Sequence, residues 1–410
     1  MLRQWAKSAF LSGLGGLTGG TLTLECPDRT YRFGEPGSLD ARMTVHDDRF
    51  FLRALTGSDI GIGESFMDGD WATPHLVPLT RLMLRNRPAV DGQSRFADAL
   101  ARRFRDNSLA GSRRHIHRHY DLGNDFFQCF LDKDLRMYSC ACFESASDSL
   151  EKAQAQKVDG ICRTLGLTSA DHVLEIGSGW GGFAAWASTH YGCRVTTTTI
   201  SDEQYRHVRE LTSRLGEAGS RIDVLRADYR ELTGRFDKVV SIEMFEAVGF
   251  PHYDDYFSAV DRLLAPGGSM FLQTITVDDQ WFPHYHGTPD WIEKYIFPGG
   301  ELASVGEVMK SLARTTSLSL YHAQNCGTHY ARTLHAWRDR FHQNLDLVRA
   351  AGFDDRFIRM WDLYLASCEA GFLERHTGLF QLMLVKNGSG RVFFNEPWAA
   401  QDAMPVAKAS

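Results

Sequence analysis

An apolar strand that runs into a glycine loop and then into a helix leaves a chain few ways to fold. Here that segment is VLEIGSGWGG, which places Gly177, Gly179, Gly181 and Gly182 between the strand HVLEI and the helix FAAWASTHYG. Glycines let the backbone approach a ligand closely, and the start of a helix favours an anionic group. The segments around the loop alternate. The helix from Glu151 to Leu165 leads into HVLEI, RVTTTTI follows, and the helix EQYRHVRELTSRLG precedes IDVLRAD and FDKVVSIEM. A helix over YDDYFSAVDRLL ends at Pro266-Gly267-Gly268, before the strand SMFLQTIT. Strands alternating with helices predict a parallel, doubly wound α/β sheet. The G-x-G-x-x-G spacing alone also serves dinucleotide enzymes. Those want an acid about 20 residues further on, where this chain has Thr196 to Ser201 and no acid before Asp202.

With 410 residues, 43% hydrophobic and 23% charged, the chain is globular and long enough for two domains. Its net charge of −6 argues against a nucleic-acid partner and confines any attraction to phosphate to local patches. The eight cysteines form no CxxC pair, so no metal is expected and reduced thiols are. No apolar run reaches the ~18 residues of a membrane span, and glycines interrupt the N-terminal stretch as a signal-peptide core. The expected location is cytoplasmic.

A first domain is expected over residues 1–100. It holds short strands at TLTLE, TYRF and MTVHD, tight turns at the glycines of GIGESFMDGDW between Asp59 and Trp71, and the helix PLTRLMLRN. Residues 101–118 read as a basic linker. The run 102–119 carries six arginines and three histidines against Asp106, which is either a solvated connection or a face for anionic phospholipid headgroups. A second domain is expected over 119–395, with an insert near 277–300 that gathers Trp281, Phe282, Tyr285, Trp291, Tyr295 and Phe297.

Glu175 before the loop and Asp228 after the third strand resemble the class I methyltransferase fold, whose successive strand ends hold S-adenosylmethionine. The resemblance becomes specific at HYDLGNDFFQCFLDKDLRMYSCACF, residues 119–143. This segment resembles the signature of the cyclopropane-fatty-acyl-phospholipid synthase and mycolic acid cyclopropane synthase family. VLEIGSGWGG, ADYREL, VVSIEMFEAVG, FLQTIT and HYARTLHAWRDRF match in order. GIGESFMDGDW resembles the N-terminal domain of the full-length bacterial synthases. The family implies a Rossmann-like, seven-stranded sheet beside a smaller α+β domain. It implies cofactor contacts from Tyr138, Ser139, Glu175, Gly177, Gly179, Gly181, Thr199, Ser201, Gln204, Asp228 and Tyr229. It further implies a bicarbonate ion held by Cys140, Glu246, Tyr330 and the backbone near Ile275, with Gln273 where the best-known bacterial synthases have histidine. Ala247 likewise replaces a histidine. Both changes, with KYIFPGG downstream, resemble a branch that includes plant cyclopropane synthases and bacterial methyltransferases making methyl-branched fatty acids. Homodimers docked on the inner membrane face, acting on phospholipids with unsaturated acyl chains, complete the expectation.

The chemistry needs such a site. An alkene is a weak nucleophile, so it must meet the sulfonium methyl at fixed geometry in a dry pocket. Attack leaves a cation on the acyl chain, which carboxylate charge and aromatic faces stabilise. Loss of a proton from the new methyl, to the bicarbonate that the resemblance implies as base, closes a ring, the favoured outcome. Loss from the chain gives a methylated or methylene product. Cys140 and Tyr330 also read as ordinary core residues, and Cys368, in an apolar helical pattern, reads as structural. An N- or O-methyltransferase and a non-catalytic lipid-binding homologue are the alternatives.

Overall fold

The computed structural model describes residues 2–86, 123–286 and 288–387. The basic run 102–119 lies outside them. The first elements are α1 (Leu2–Gly13), β1 (Gly20–Glu25), β2 (Thr30–Gly34), β3 (Leu39–Val45), α2 (Arg49–Met67), β4 (Trp71–Ala72) and α3 (Leu76–Arg85). They build a four-stranded sheet of order β2-β1-β3-β4. In β3 the residues alternate between buried and exposed, so Leu39, Ala41, Met43 and Val45 face the core.

The glycines of GIGESFMDGDW do not mark tight turns, apart from Gly69 with φ 79°. Gly61 and Gly63 lie inside α2, which bends at Ser58. They are needed for close approach. A Cβ on Gly61 would lie 2.1 Å from the Arg53 carbonyl oxygen across the bend, and one on Gly63 would lie 2.3 Å from the Trp291 ring.

The remaining chain carries α4 (Asn124–Gln128), α5 (Leu150–Thr164), β5 (His172–Ile176), α6 (Gly182–Trp186), β6 (Arg194–Thr199), α7 (Asp202–Arg214), β7 (Ile222–Arg226), β8 (Phe236–Ile242), α8 (Tyr253–Leu263) and β9 (Leu264–Val277). After it come α9 (Phe282–Tyr285), α10 (Trp291–Tyr295), α11 (Val305–Thr315), β10 (Leu318–Asn325), α12 (Gly327–Gln343), α13 (Asp355–Leu373) and β11 (Thr377–Lys386). The seven strands run β10-β11-β9-β8-β5-β6-β7. β7, β6, β5, β8 and β9 are parallel, and β11 runs against both of its neighbours. This is the expected doubly wound sheet. The order reverses at β5, so the crevice for a ligand opens at the carboxyl ends of β5, β6 and β8. Pro266-Gly267-Gly268 falls within β9 rather than before it, with Gly267 at φ 72° and the pairing to β8 slipping between Phe236 and Lys238.

The two sheets share packing. Residues of α2, α3 and the first sheet belong to one continuous apolar cluster with α4, α12 and α13, where Trp337 and Trp361 are fully buried. Arg81 and Arg85 of α3 both hold Glu374, at 2.6 and 2.7 Å. Glu64 of α2 accepts from Lys294 and Tyr295 of α10 at 2.6 and 2.7 Å, and Asp59 accepts from the Trp291 N–H at 3.0 Å. No helix among the described residues is long and apolar enough to cross a membrane. Gly63→Ala is expected to cost about 1–3 kcal/mol by forcing Trp291 out of its seat. Gly160→Ala, with open space at its Cβ, is expected to stabilise by about 0.5–1 kcal/mol. Urea denaturation of the two variants measures the contrast.

Candidate active site

The loop after β5 has the backbone a cofactor cradle needs. Gly177, Gly179 and Gly181 stand at φ 95°, 50° and 87°, in the left-handed region that favours glycine. Gly182 opens α6 and permits a crossing: a Cβ there would lie 2.5 Å from the Leu135 carbonyl oxygen and 2.7 Å from Met137 Sδ. That crossing segment is folded by Asp132, whose carboxylate accepts the N–H groups of Leu135, Arg136 and Met137 at 2.6–3.0 Å. It delivers Tyr138, Ser139 and Cys140 to the crevice.

At the end of β6, Thr199 Oγ1 donates to Gln204 Oε1 at 2.8 Å, and Ser201 caps α7 by accepting the Gln204 N–H. Together with the glycine loop these residues fit S-adenosylmethionine, which supplies an electrophilic methyl on sulfur when bound. Glu175 lies under the loop and accepts from Thr197 at 2.6 Å. Burial pushes its carboxyl up to about 8. Asp228 is held by Arg230 through a bidentate contact, and Tyr229 packs on Tyr256 in the core.

Tyr138 stands in an aromatic wall. Its ring lies 5.2 Å from Phe127, 5.3 Å from Trp337 and 6.4 Å from Phe297, and its hydroxyl meets that of Tyr364 at 2.9 Å. Among the aromatics of the insert, Phe297 has a ring contact with Tyr138. Trp291 and Tyr295 join the insert to α2, while Phe282 packs on Phe250. Ser139 Oγ accepts from the buried Lys157 at 2.8 Å, and burial lowers that ammonium's pKa.

Three of the residues expected to converge, Cys140, Gln273 and Tyr330, do so, but on a carboxylate that sequence reasoning passed over. Glu243 follows β8, and its Oε1 accepts from the Cys140 N–H at 2.9 Å and from Gln273 Nε2 at 2.7 Å. Its Oε2 accepts from the Tyr330 hydroxyl at 2.6 Å. Gln381 donates to Gln273 Oε1 at 2.8 Å, which turns the Gln273 NH₂ toward Glu243. The Ile275 N–H goes to the second carboxylate, Glu246 Oε1, at 2.5 Å. The donors expected to face bicarbonate are therefore bonded within the protein. Glu243 could have been found by the reasoning that singled out Glu246, since both are acids just past a buried strand.

Glu243 also has φ 50°, a left-handed conformation that costs a residue with a side chain of order 1–2 kcal/mol. Burial raises its pKa, against the bonds from Tyr330, Cys140 and Gln273 and the nearby Lys157 charge. Burial, then repulsion from Glu243, pushes Glu246 up to about 8. Cys140 is fully buried, and burial raises its thiol pKa well above the ordinary range. Burial likewise pushes the Cys368 thiol up to about 12, which fits its structural reading.

The Glu246 shift has a sign that can be measured. Between its ordinary 4.5 and about 8, the folded protein keeps a proton that the unfolded chain has lost. This group therefore lowers stability as pH rises across that window. Glu175 acts in the same direction. Glu246→Gln is expected to lose less unfolding free energy than the wild type between about pH 5 and pH 8. Equal slopes in denaturant titrations would overturn the assignment.

The chain is similar to known proteins over most of its length. Residues 107–382 match the family model described as mycolic acid cyclopropane synthetase. The chain is 37% identical to the tuberculostearic acid methyltransferase of Mycobacterium tuberculosis, over 80% of this chain and 79% of that one. It is also 37% identical to the cyclopropane-fatty-acyl-phospholipid synthase of Escherichia coli K12, over 86% of this chain and 90% of that one. The crystal structure of a mycolic acid cyclopropane synthase complexed with SAH and CTAB superposes with a TM-score of 0.62 at 31% identity. The match covers 67% of this chain and 98% of that one. The chain belongs to the mycolic acid cyclopropane synthetase family of S-adenosylmethionine-dependent methyltransferases.

Proposed function

We propose that the enzyme transfers a one-carbon unit from S-adenosylmethionine to the double bond of an unsaturated fatty acyl chain in a phospholipid, and closes it to a cyclopropane. The observation that carries this reading is the composition of the crevice. Beside the glycine loop stand the aromatic wall at Tyr138 and two carboxylates, Glu243 and Glu246. That set suits a cation growing on a hydrocarbon.

The residues divide the work. The glycine loop with Thr199, Ser201 and Gln204 holds the methyl donor, and Tyr138 and Ser139 close over it. Tyr138, Phe297 and Trp337 exclude water and present ring faces to the acyl cation. An ionised Glu243 would supply negative charge, while Glu246 keeps its proton up to about pH 8. A bicarbonate, implied by the resemblance, would have to displace Glu243 from its donors, so no step of this proposal runs through it. A second reading, methyl or methylene branching without a ring, is favoured by the 37% identity to a tuberculostearic acid methyltransferase.

Methyl-deuterated S-adenosylmethionine with vesicles of unsaturated phospholipid separates the two readings. A cyclopropane that keeps two of the three deuterons is expected. All three in a branched or methylene product would replace ring closure with plain methylation.

The same proposal places the enzyme, as a homodimer, on the inner face of the membrane. Its N-terminal helix α1 leaves Leu2 and Trp5 exposed, at 62% and 64%, which suits interfacial contact. Trp5→Ala is expected to weaken sedimentation with anionic vesicles severalfold, and added salt to weaken the wild type. Binding indifferent to the substitution would remove α1 from the contact, and binding indifferent to salt would leave only apolar insertion.

A further inference from the structure

The resemblance places a free bicarbonate ion among Cys140, Glu246, Tyr330 and the backbone near Ile275, with Gln273 in the place of a further ligand. The donors of three of these residues already meet one side chain, at 2.6–2.9 Å. The fourth, the Ile275 N–H, is taken by Glu246. We propose that the Glu243 carboxylate takes the place of bicarbonate in this enzyme and is itself the base that removes the proton from the acyl cation. The inference rests on the alkene-methylating reading above and names the base for it.

Four features support it. Two carboxylate oxygens offer about four acceptor positions, and the three donors leave one open for a proton. The residue after Glu243 lies against the cofactor loop, since a Cβ on Gly177 would come within 3.0 Å of Met244 Cγ. Glu243 itself is the first residue after β8, at the carboxyl end of the strand where such a crevice opens. Glu243 is held at a left-handed φ of 50°, and such strain at a crevice usually serves function. The bond from Gln381 fixes the Gln273 amide so that its NH₂, not its oxygen, faces Glu243. Gln273 thus supports an ionised acceptor, where a second acceptor would repel it.

The step balances. The alkene pair forms the new C–C bond as the S–CH₃ bond breaks, and its electrons stay on sulfur in S-adenosylhomocysteine. The cation then lies on the neighbouring chain carbon. As a methyl proton passes to Glu243, the C–H pair closes onto that carbon. Glu243 becomes a neutral carboxyl and returns the proton to water before the next turnover.

Glu243→Gln keeps the shape. Its amide oxygen can accept from Cys140 and Gln273, while its NH₂ donates to the Tyr330 oxygen. Glu243→Gly relieves the left-handed strain and frees the three donors. The wild type is expected to turn over equally in carbonate-free buffer and with added bicarbonate. Glu243→Gln should lose about a hundredfold or more in kcat while binding S-adenosylhomocysteine normally. Glu243→Gly should be inactive in carbonate-free buffer and recover with added bicarbonate. Carbon-13-labelled bicarbonate, followed by NMR, should bind the glycine variant and not the wild type. Bicarbonate-dependent turnover or bicarbonate binding in the wild type would overturn the inference, as would near-normal kcat in Glu243→Gln. Should the wild type consume no methyl donor with any unsaturated lipid, the functional reading fails. The bicarbonate-binding comparison would then still decide whether Glu243 fills that site.

Discussion

The Glu243 carboxylate is a junction on which the crevice depends. Through it the loop carrying Cys140, the strand β9 carrying Gln273 and the helix α12 carrying Tyr330 are tied to the end of β8. A buried carboxylate with fewer donors would protonate or draw in water. Three donors, with Lys157 nearby, hold it in place, and in holding it they also fix the walls of the site. Glu246, three residues later, bonds to the Ile275 N–H, so two acids of one short segment both hold β9.

Two acids so close cannot carry equal charge at little cost. Repulsion from Glu243, added to burial, pushes Glu246 up to about 8, while Glu243 has the better donor set. Glu246 thus tends to keep its proton and orient the backbone of β9, while on Glu243 the three donors work against the burial that raises its pKa. Gln273 suits this pair better than a histidine would. A third titrating group beside these two acids would add to the site's dependence on pH, whereas an amide donates its hydrogen bond at any pH.

The first sheet is joined to this apparatus by more than packing. Glu64 and Asp59 of α2 hold α10 of the insert, and the insert also carries Phe297 to the ring of Tyr138. Close approach there requires Gly63. The glycines of GIGESFMDGDW thus serve a helix interface, and reading them as turns failed because a glycine's absent side chain serves packing as well as backbone freedom.

The sequence by itself determined the doubly wound sheet, the glycine loop after β5 and the family, because hydrophobic periodicity and local turn chemistry are written in neighbouring residues. Through the resemblance it also named Cys140, Glu246, Gln273, Ile275 and Tyr330 as members of one site. That Cys140, Gln273 and Tyr330 meet Glu243 rather than Glu246 was decided by tertiary structure alone. Glu243 lies 103 residues from Cys140 and 87 from Tyr330, and both acids follow the same buried strand. The choice between them rests on the left-handed turn at Glu243 and on β9 lying beside β8 with Gln273 opposite Ile242. Neither leaves a trace in local sequence, because each is a consequence of strands brought together by the folded sheet.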